Sequence, residues 1–198
     1  MTDSSEQTHH DRIDPVVLTG GMSTRFGRDK LREGLDGGGM LIDRPVAALR
    51  AVFGPRVAIV GACDPLVRTR ADRVIDDPYP GVGPIGGIVA ALQDSTRDVF
   101  VLAGDLPGIE PAHIRQILGV AGLSPGAHAV LGRTDRLEPL IGLYRRACLP
   151  VLLQRLEHGG RSLHDAIAAD HRREVPLAFE AALNINTAAD WRCRFGRR

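Results

Sequence analysis

The run Val99-Phe100-Val101-Leu102-Ala103 leads straight into Gly104-Asp105. Five apolar residues without polar alternation describe a strand covered on both faces, as in the parallel sheets of α/β proteins. Other short apolar runs occupy residues 16–18, 57–60, 73–75, 127–131, 140–144 and 183–185. Segments of helical period separate or follow them, at 41–52, 85–93, 111–120, 147–157, 162–169 and 187–194. The segment 85–93 is apolar on nearly every side, which suits a helix packed on a sheet. Pro111 suits a first helical turn, where its missing N–H has no partner to lose. The alternation predicts a three-layer α/β sandwich with a mostly parallel, Rossmann-like sheet. No repeat or linker interrupts it, so residues 13–195 read as one domain behind a polar, disordered tail over 1–12.

Ligands of such sheets gather outside the carboxyl ends of the strands. Gly20 onward follows the first candidate strand, Asp76-Asp77 the third and Asp105 the fourth. The pattern therefore puts all three on one rim.

The totals exclude several partner classes. The chain has 25 basic and 24 acidic residues and a formal net charge of +1. That balance favours neither a nucleic-acid polymer nor an anionic membrane. Aromatics at 4% supply few stacking platforms for bases. The basic clusters Arg68, Arg70, Arg73 and Arg192, Arg194, Arg197, Arg198 read as solvated faces and a tail. Cys63, Cys148 and Cys193 are odd in number and lack C-x-x-C spacing, as expected of reduced thiols in a cytoplasmic protein. No secretory leader or membrane-length apolar run is visible.

Of the 25 basic residues one alone is a lysine, Lys30. It closes Gly20-Gly21-Met22-Ser23-Thr24-Arg25-Phe26-Gly27-Arg28-Asp29-Lys30. Glycines at 20, 21 and 27 allow close backbone approach to a ligand, with N–H groups turned inward. Arg25 and Lys30 add charge for a polyphosphate. An ammonium is a compact point charge, unlike the planar guanidinium used elsewhere. The spacing is not that of a Walker A loop, and an ordinary strand-to-helix turn would also tolerate these glycines.

The stretch Leu18-Thr19-Gly20-Gly21-Met22-Ser23-Thr24-Arg25-Phe26-Gly27-Arg28-Asp29-Lys30 resembles the L-A-G-G-x-S-x-R-M-G-x-D-K signature of the molybdenum cofactor guanylyltransferases, with Thr19 for Ala and Phe26 for Met. Gly83-Pro84-Ile85-Gly86-Gly87-Ile88 resembles that family's G-P-L-x-G-I segment. Asp105-Leu106-Pro107 is similar to its D-x-P, Pro139-Leu140-Ile141-Gly142-Leu143-Tyr144 to its P-L-x-G-L-Y, and Asn184-Ile185-Asn186-Thr187-Ala188-Ala189-Asp190 to its N-x-N-T-x-x-D. The five motifs fall in the family's order.

The resemblance implies a nucleotidyltransferase of Rossmann-like fold. Its reaction would be Mg²⁺-dependent transfer of GMP from GTP to molybdopterin or its molybdenum form, releasing pyrophosphate. Leu18, Thr19, Gly20, Gly21 and Lys30 would meet the nucleotide, with Arg25 and Lys30 on its phosphates. Asp105 would hold Mg²⁺ and contact the nucleotide. By itself, an Asp two residues before Pro107 is equally a turn former. Asp77 would read the base, since a carboxylate can accept from both guanine N1–H and its 2-amino group. A turn-capping role suits Asp77 as well. A family asparagine falls on Gly61, which offers only backbone, so CTP stays open as an alternative substrate. Asn184 and Asn186 share one face if extended and would meet the acceptor. They could equally cap the helix expected at 187.

Gly81-Val82-Gly83-Pro84-Ile85-Gly86 also satisfies G-x-G-x-x-G, with Asp105 about 20 residues on. That spacing raises an NAD-linked oxidoreductase as a remote alternative, beside a non-catalytic nucleotide-binding module. Residues 76–80 separate the first glycine from the strand, however, where the fingerprint needs a tight turn.

Overall fold

The computed structural model describes residues 12–19, 30–34 and 38–183. Its strands are β1 (Ile13–Leu18), β2 (Ala58–Val60), β3 (Arg73–Ile75), β4 (Asp98–Ala103), β5 (Ala129–Arg133), β6 (Leu137–Tyr144) and β7 (Arg172–Pro176). Its helices are α1 (Asp43–Phe53), α2 (Pro65–Arg68), α3 (Pro84–Asp94), α4 (Pro111–Gly122) and α5 (Cys148–Glu157). Among the described residues, one sheet runs in the order β3-β2-β1-β4-β6-β5-β7. Only β6 is antiparallel to its neighbours. The three-layer, mostly parallel sandwich expected from the sequence is the observed fold.

Alternate side chains of each strand divide between two cores. Val17, Phe100, Leu102, Val130 and Ile141 pack with α1 and α4. Val16, Val99, Val101, Leu131 and Tyr144 pack with α3 and α5. Both faces of β4 are therefore buried, which accounts for its unbroken apolar sequence. Helix α3 is buried over Ile85–Leu92. Helix α4 starts on Pro111, with a reciprocal cap between Glu110 and His113. Burial pushes the Cys148 thiol up to about 12, so it stays protonated at neutral pH. No helix among the described residues is long and apolar enough to cross a membrane.

Three expectations fail or fall outside. Residues 162–169 form turns rather than a helix, although Leu163, Ala166 and Ile167 are buried at helical spacing. Arg155 takes the Ser162 carbonyl with Nε at 3.0 Å and the Asp165 carboxylate at 2.6 Å. So short a segment cannot meet the cost of helix nucleation against such competition. Strand β7 has no apolar run, since Val175 is its one buried residue. Among the described residues it is an edge strand, held to β5 by backbone pairing and by the ion pair of Glu174 with Arg133, while Arg172 pairs with Glu174 along the strand itself. Leu183 lies in no strand, and 184–185 and the helix expected at 187–194 lie outside the described residues.

One contact fastens a late turn of the chain to the loop that carries Asp105. A 3₁₀ turn, Phe179–Ala182, lies against the loop after β4. A Cβ on Gly108 would sit 2.1 Å from the Glu180 carbonyl oxygen. Gly108→Ala is therefore expected to lower stability by roughly 1–3 kcal/mol. Urea unfolding measures it, and a wild-type midpoint would show that the contact is not tight.

Candidate functional site

The carboxyl ends of β1 and β4 are bonded together, Gly104 donating its N–H to the Leu18 carbonyl at 2.9 Å. A Cβ on Gly104 would meet Leu31 and Ile42 side chains at 3.1 Å. Its absence lets the 3₁₀ turn Lys30–Arg32, with Leu31 buried, settle onto the end of β4. That packing brings the Lys30 ammonium to 2.5 Å from Asp105 Oδ2. The two side chains are 19% and 14% exposed, so the pair sits in a cleft rather than on open surface. Lys30 and Asp105 thus share the rim where the sequence pattern put them.

A cavity of about 790 Å³ opens at the ends of β1, β2 and β3. Its lining includes Leu18, Val60, Gly61, Asp77, Arg68 and Pro84. A Cβ on Gly87 would come within 3.1 Å of the Leu18 side chain, and one on Gly86 within 2.9 Å of Tyr79 and Val82. Glycines at the start of α3 therefore let the helix close one wall. Gly81 and Gly83 have φ of +80° and +88° and form the turn into α3. That turn follows the intervening residues 76–80 rather than the strand itself, unlike a dinucleotide fingerprint.

Asp77 spends Oδ1 on the Tyr79 N–H at 2.8 Å, the turn-capping contact that its sequence also allowed. The carboxylate still lines the cavity. Gly61 has φ +99° and gives its N–H to the Ile75 carbonyl at 3.1 Å. Thr19 is buried, and its hydroxyl donates to the Val60 carbonyl at 3.0 Å and the Gly61 carbonyl at 3.4 Å. Its N–H also goes to Val60. The side chain that departs from the family signature therefore ties β1 to β2. Gly20, Gly21, Arg25, Asn184 and Asn186 lie outside the described residues.

A second cavity, about 300 Å³, is lined by Ala103 and Leu106, on either side of Asp105 in the chain, and by Glu138, Pro139, Leu140 and Ile141 of β6. Pro84 borders both cavities. Arg136, Arg161 and His164 bring positive charge or hydrogen-bond donors to the smaller one. None of these three stood out in the sequence. Arg161 follows Gly159-Gly160 and Arg136 closes a hairpin turn, positions that carry no chemical signature.

Comparison with known proteins gives the family and the fold. Residues 15–174 match the MobA-like NTP transferase domain. A probable molybdenum cofactor guanylyltransferase of Opitutus terrae is 36% identical over 158 residues, spanning 78% of this chain and 77% of that protein. One of Chloroflexus aggregans is 32% identical, spanning 91% and 92%. The crystal structure of molybdopterin-guanine dinucleotide biosynthesis protein A from Archaeoglobus fulgidus superposes with a TM-score of 0.72 at 25% identity, covering 91% of this chain and 95% of that one.

The Thr19 contacts make their own prediction. Thr19→Val keeps the shape but removes the hydroxyl, and is expected to cost about 1 kcal/mol in urea unfolding. No change would mean that the hydroxyl does not join the strands.

Proposed function

The chain belongs to the MobA-like NTP transferase family and is a nucleotidyltransferase, and we propose that it transfers GMP from GTP to a phosphate of molybdopterin or its molybdenum form. The observation that carries this reading is the Lys30–Asp105 contact at the joined ends of β1 and β4, whose last residues, Leu18 and Ala103, line a larger and a smaller cavity.

In the proposed reaction an oxygen of the acceptor phosphate attacks the α-phosphorus of GTP. The bond from that phosphorus to the bridging oxygen breaks, and pyrophosphate leaves with the electron pair. The nucleophile is already an anion, so no strong base is needed. The protein's task is to hold two anions in line and offset their repulsion.

Leu18, the Thr19 carbonyl and Asp77 would seat the nucleoside in the larger cavity. Gly20, Gly21, Arg25 and Lys30 would take the triphosphate. Arg136, Arg161 and His164 would draw the acceptor's phosphate into the smaller cavity, with Asn184 and Asn186 meeting its pterin end. Reduced thiols and soluble substrates fit a cytoplasmic setting.

Asp105 fits the proposed Mg²⁺. Its carboxylate offers hard oxygen donors at a point that already attracts a cation, the Lys30 ammonium. Among the described residues no cluster of three or more His, Cys, Asp or Glu could enclose a metal. Such an ion would be held by Asp105, with phosphate and water oxygens completing the shell, as Mg²⁺ favours. When bound, it offsets charge on the phosphates. With that carboxylate engaged, the Lys30 ammonium turns to the phosphate oxygens.

The test is pyrophosphate release with Mg²⁺ and molybdopterin, comparing GTP, CTP and ATP. Release with GTP alone is expected, and preference for CTP would replace the guanylyl reading by a cytidylyl one. Lys30→Ala should lose about a hundredfold in rate. Lys30→Arg should recover only part of it, because a planar fork does not replace a point charge. Asp105→Asn should lose its Mg²⁺ dependence while keeping a wild-type circular dichroism spectrum. Near-wild-type turnover by Lys30→Ala would overturn the assignment.

A further inference from the structure

Among the described residues, the larger cavity has one cationic side chain in its lining, Arg68, together with Asp76 and Asp77. Resting on the guanylyl-transfer reading, we infer that Arg68 is a specificity-determining residue, donating from its guanidinium to guanine N7 and O6 while Asp77 accepts from N1–H and the 2-amino group.

Three observations lead there. The first is how Arg68 differs from its neighbours. Arg32 pairs with Asp64, Arg70 with Asp43 and Arg73 with Asp94. The Arg68 guanidinium makes no hydrogen bond or ion pair with any described residue and faces the cavity instead. Its neighbours Arg70 and Arg73 are the solvated face that the sequence suggested for all three.

The second is that Arg68 is mounted on a braced element. It is the last residue of α2, whose Val67 is fully buried. Asp64 caps that helix by accepting from the Leu66 N–H at 2.8 Å and accepts from Arg32 at 2.9 Å. Arg70, just beyond the helix, is 3.2 Å from Asp43 of α1. Arg32 belongs to the same 3₁₀ turn as Lys30. The arm aimed at the base and the lysine aimed at the phosphates are therefore linked through one ion pair.

The third is what the cavity lacks. Gly61 has no side chain, and its N–H is already bonded to Ile75. A side chain there would be strained at φ +99°. Donors for the base must then come from elsewhere in the lining. Guanine shows two adjacent acceptors, N7 and O6, which a guanidinium fork matches in a bidentate fashion. Adenine puts an amine donor in place of O6, and cytosine, whose adjacent acceptors are O2 and N3, offers the Asp77 carboxylate only one exocyclic amine where guanine offers N1–H and the 2-amino group.

The test is calorimetric binding of GTP, its 7-deaza analogue, ITP and CTP to the full chain with Mg²⁺, for wild type, Arg68→Ala and Asp77→Asn. Wild type should bind 7-deaza-GTP roughly tenfold more weakly than GTP, and Arg68→Ala should bind the two alike. Asp77→Asn should keep the 7-deaza penalty but lose the preference for GTP over ITP. Equal wild-type affinities for GTP and 7-deaza-GTP would overturn the inference without needing any variant, and would leave guanylyl transfer standing. So would an Arg68→Ala protein that weakens GTP and CTP equally, since that marks a general charge effect. Wild-type preference for CTP over GTP would instead defeat the guanylyl reading and this inference with it.

Discussion

Lys30 and Asp105 are 75 positions apart in the chain, and their side chains meet at 2.5 Å. The meeting depends on a small number of packing facts. Gly104 has no Cβ, so Leu31 and Ile42 can press onto the end of β4. Its N–H bonds the Leu18 carbonyl, which fixes the exits of β1 and β4 side by side. Remove that close approach and the turn bearing Lys30 loses its seat. Leu18 and Ala103, the last residues of these two strands, line the larger and the smaller cavity respectively.

The electrostatics of the rim follow from it. The carboxylate and ammonium offset each other, so neither is an uncompensated charge in a part-buried cleft. In the proposed reaction each would serve a different part of a metal–nucleotide complex, the carboxylate the cation and the ammonium the phosphates. On one side the larger cavity combines apolar walls with Asp76, Asp77 and Arg68. On the other, the smaller cavity carries Arg136, Arg161 and His164. The proposed in-line transfer needs this division, with a nucleotide and an anionic acceptor brought to one point from two directions.

Much of this was legible in the sequence, for identifiable reasons. A strand buried on both faces must be apolar throughout, so β4 and the parallel sheet could be read from Val99–Ala103 alone. Asp105 stood out because it follows that strand, and Lys30 because the chain has no other lysine. What escaped lacks such a signature. Strand β7 is an edge strand held by charged pairs, and the 162–169 segment has helical spacing but spends its polar groups on Arg155. Arg68, Arg136 and Arg161 were hidden because arginine supplies nearly all the positive charge of this chain. Only the tertiary structure shows which of them line cavities, Arg136 there being paired with Glu138. Thr19 stands where the family signature has Ala, and its hydroxyl turns inward to join β1 and β2.

The single lysine also gives the account its sharpest measurement. In protein labelled with ¹⁵N-lysine, the one Nζ resonance reports the partner of Lys30 directly. Held by Asp105 in the free protein, that resonance should move when saturating Mg²⁺ and GTP are added, as the ammonium passes to the phosphates. In Asp105→Asn it should already be displaced without nucleotide. An Nζ resonance that stays in place at saturating nucleotide would contradict the claim that this lysine serves the phosphates.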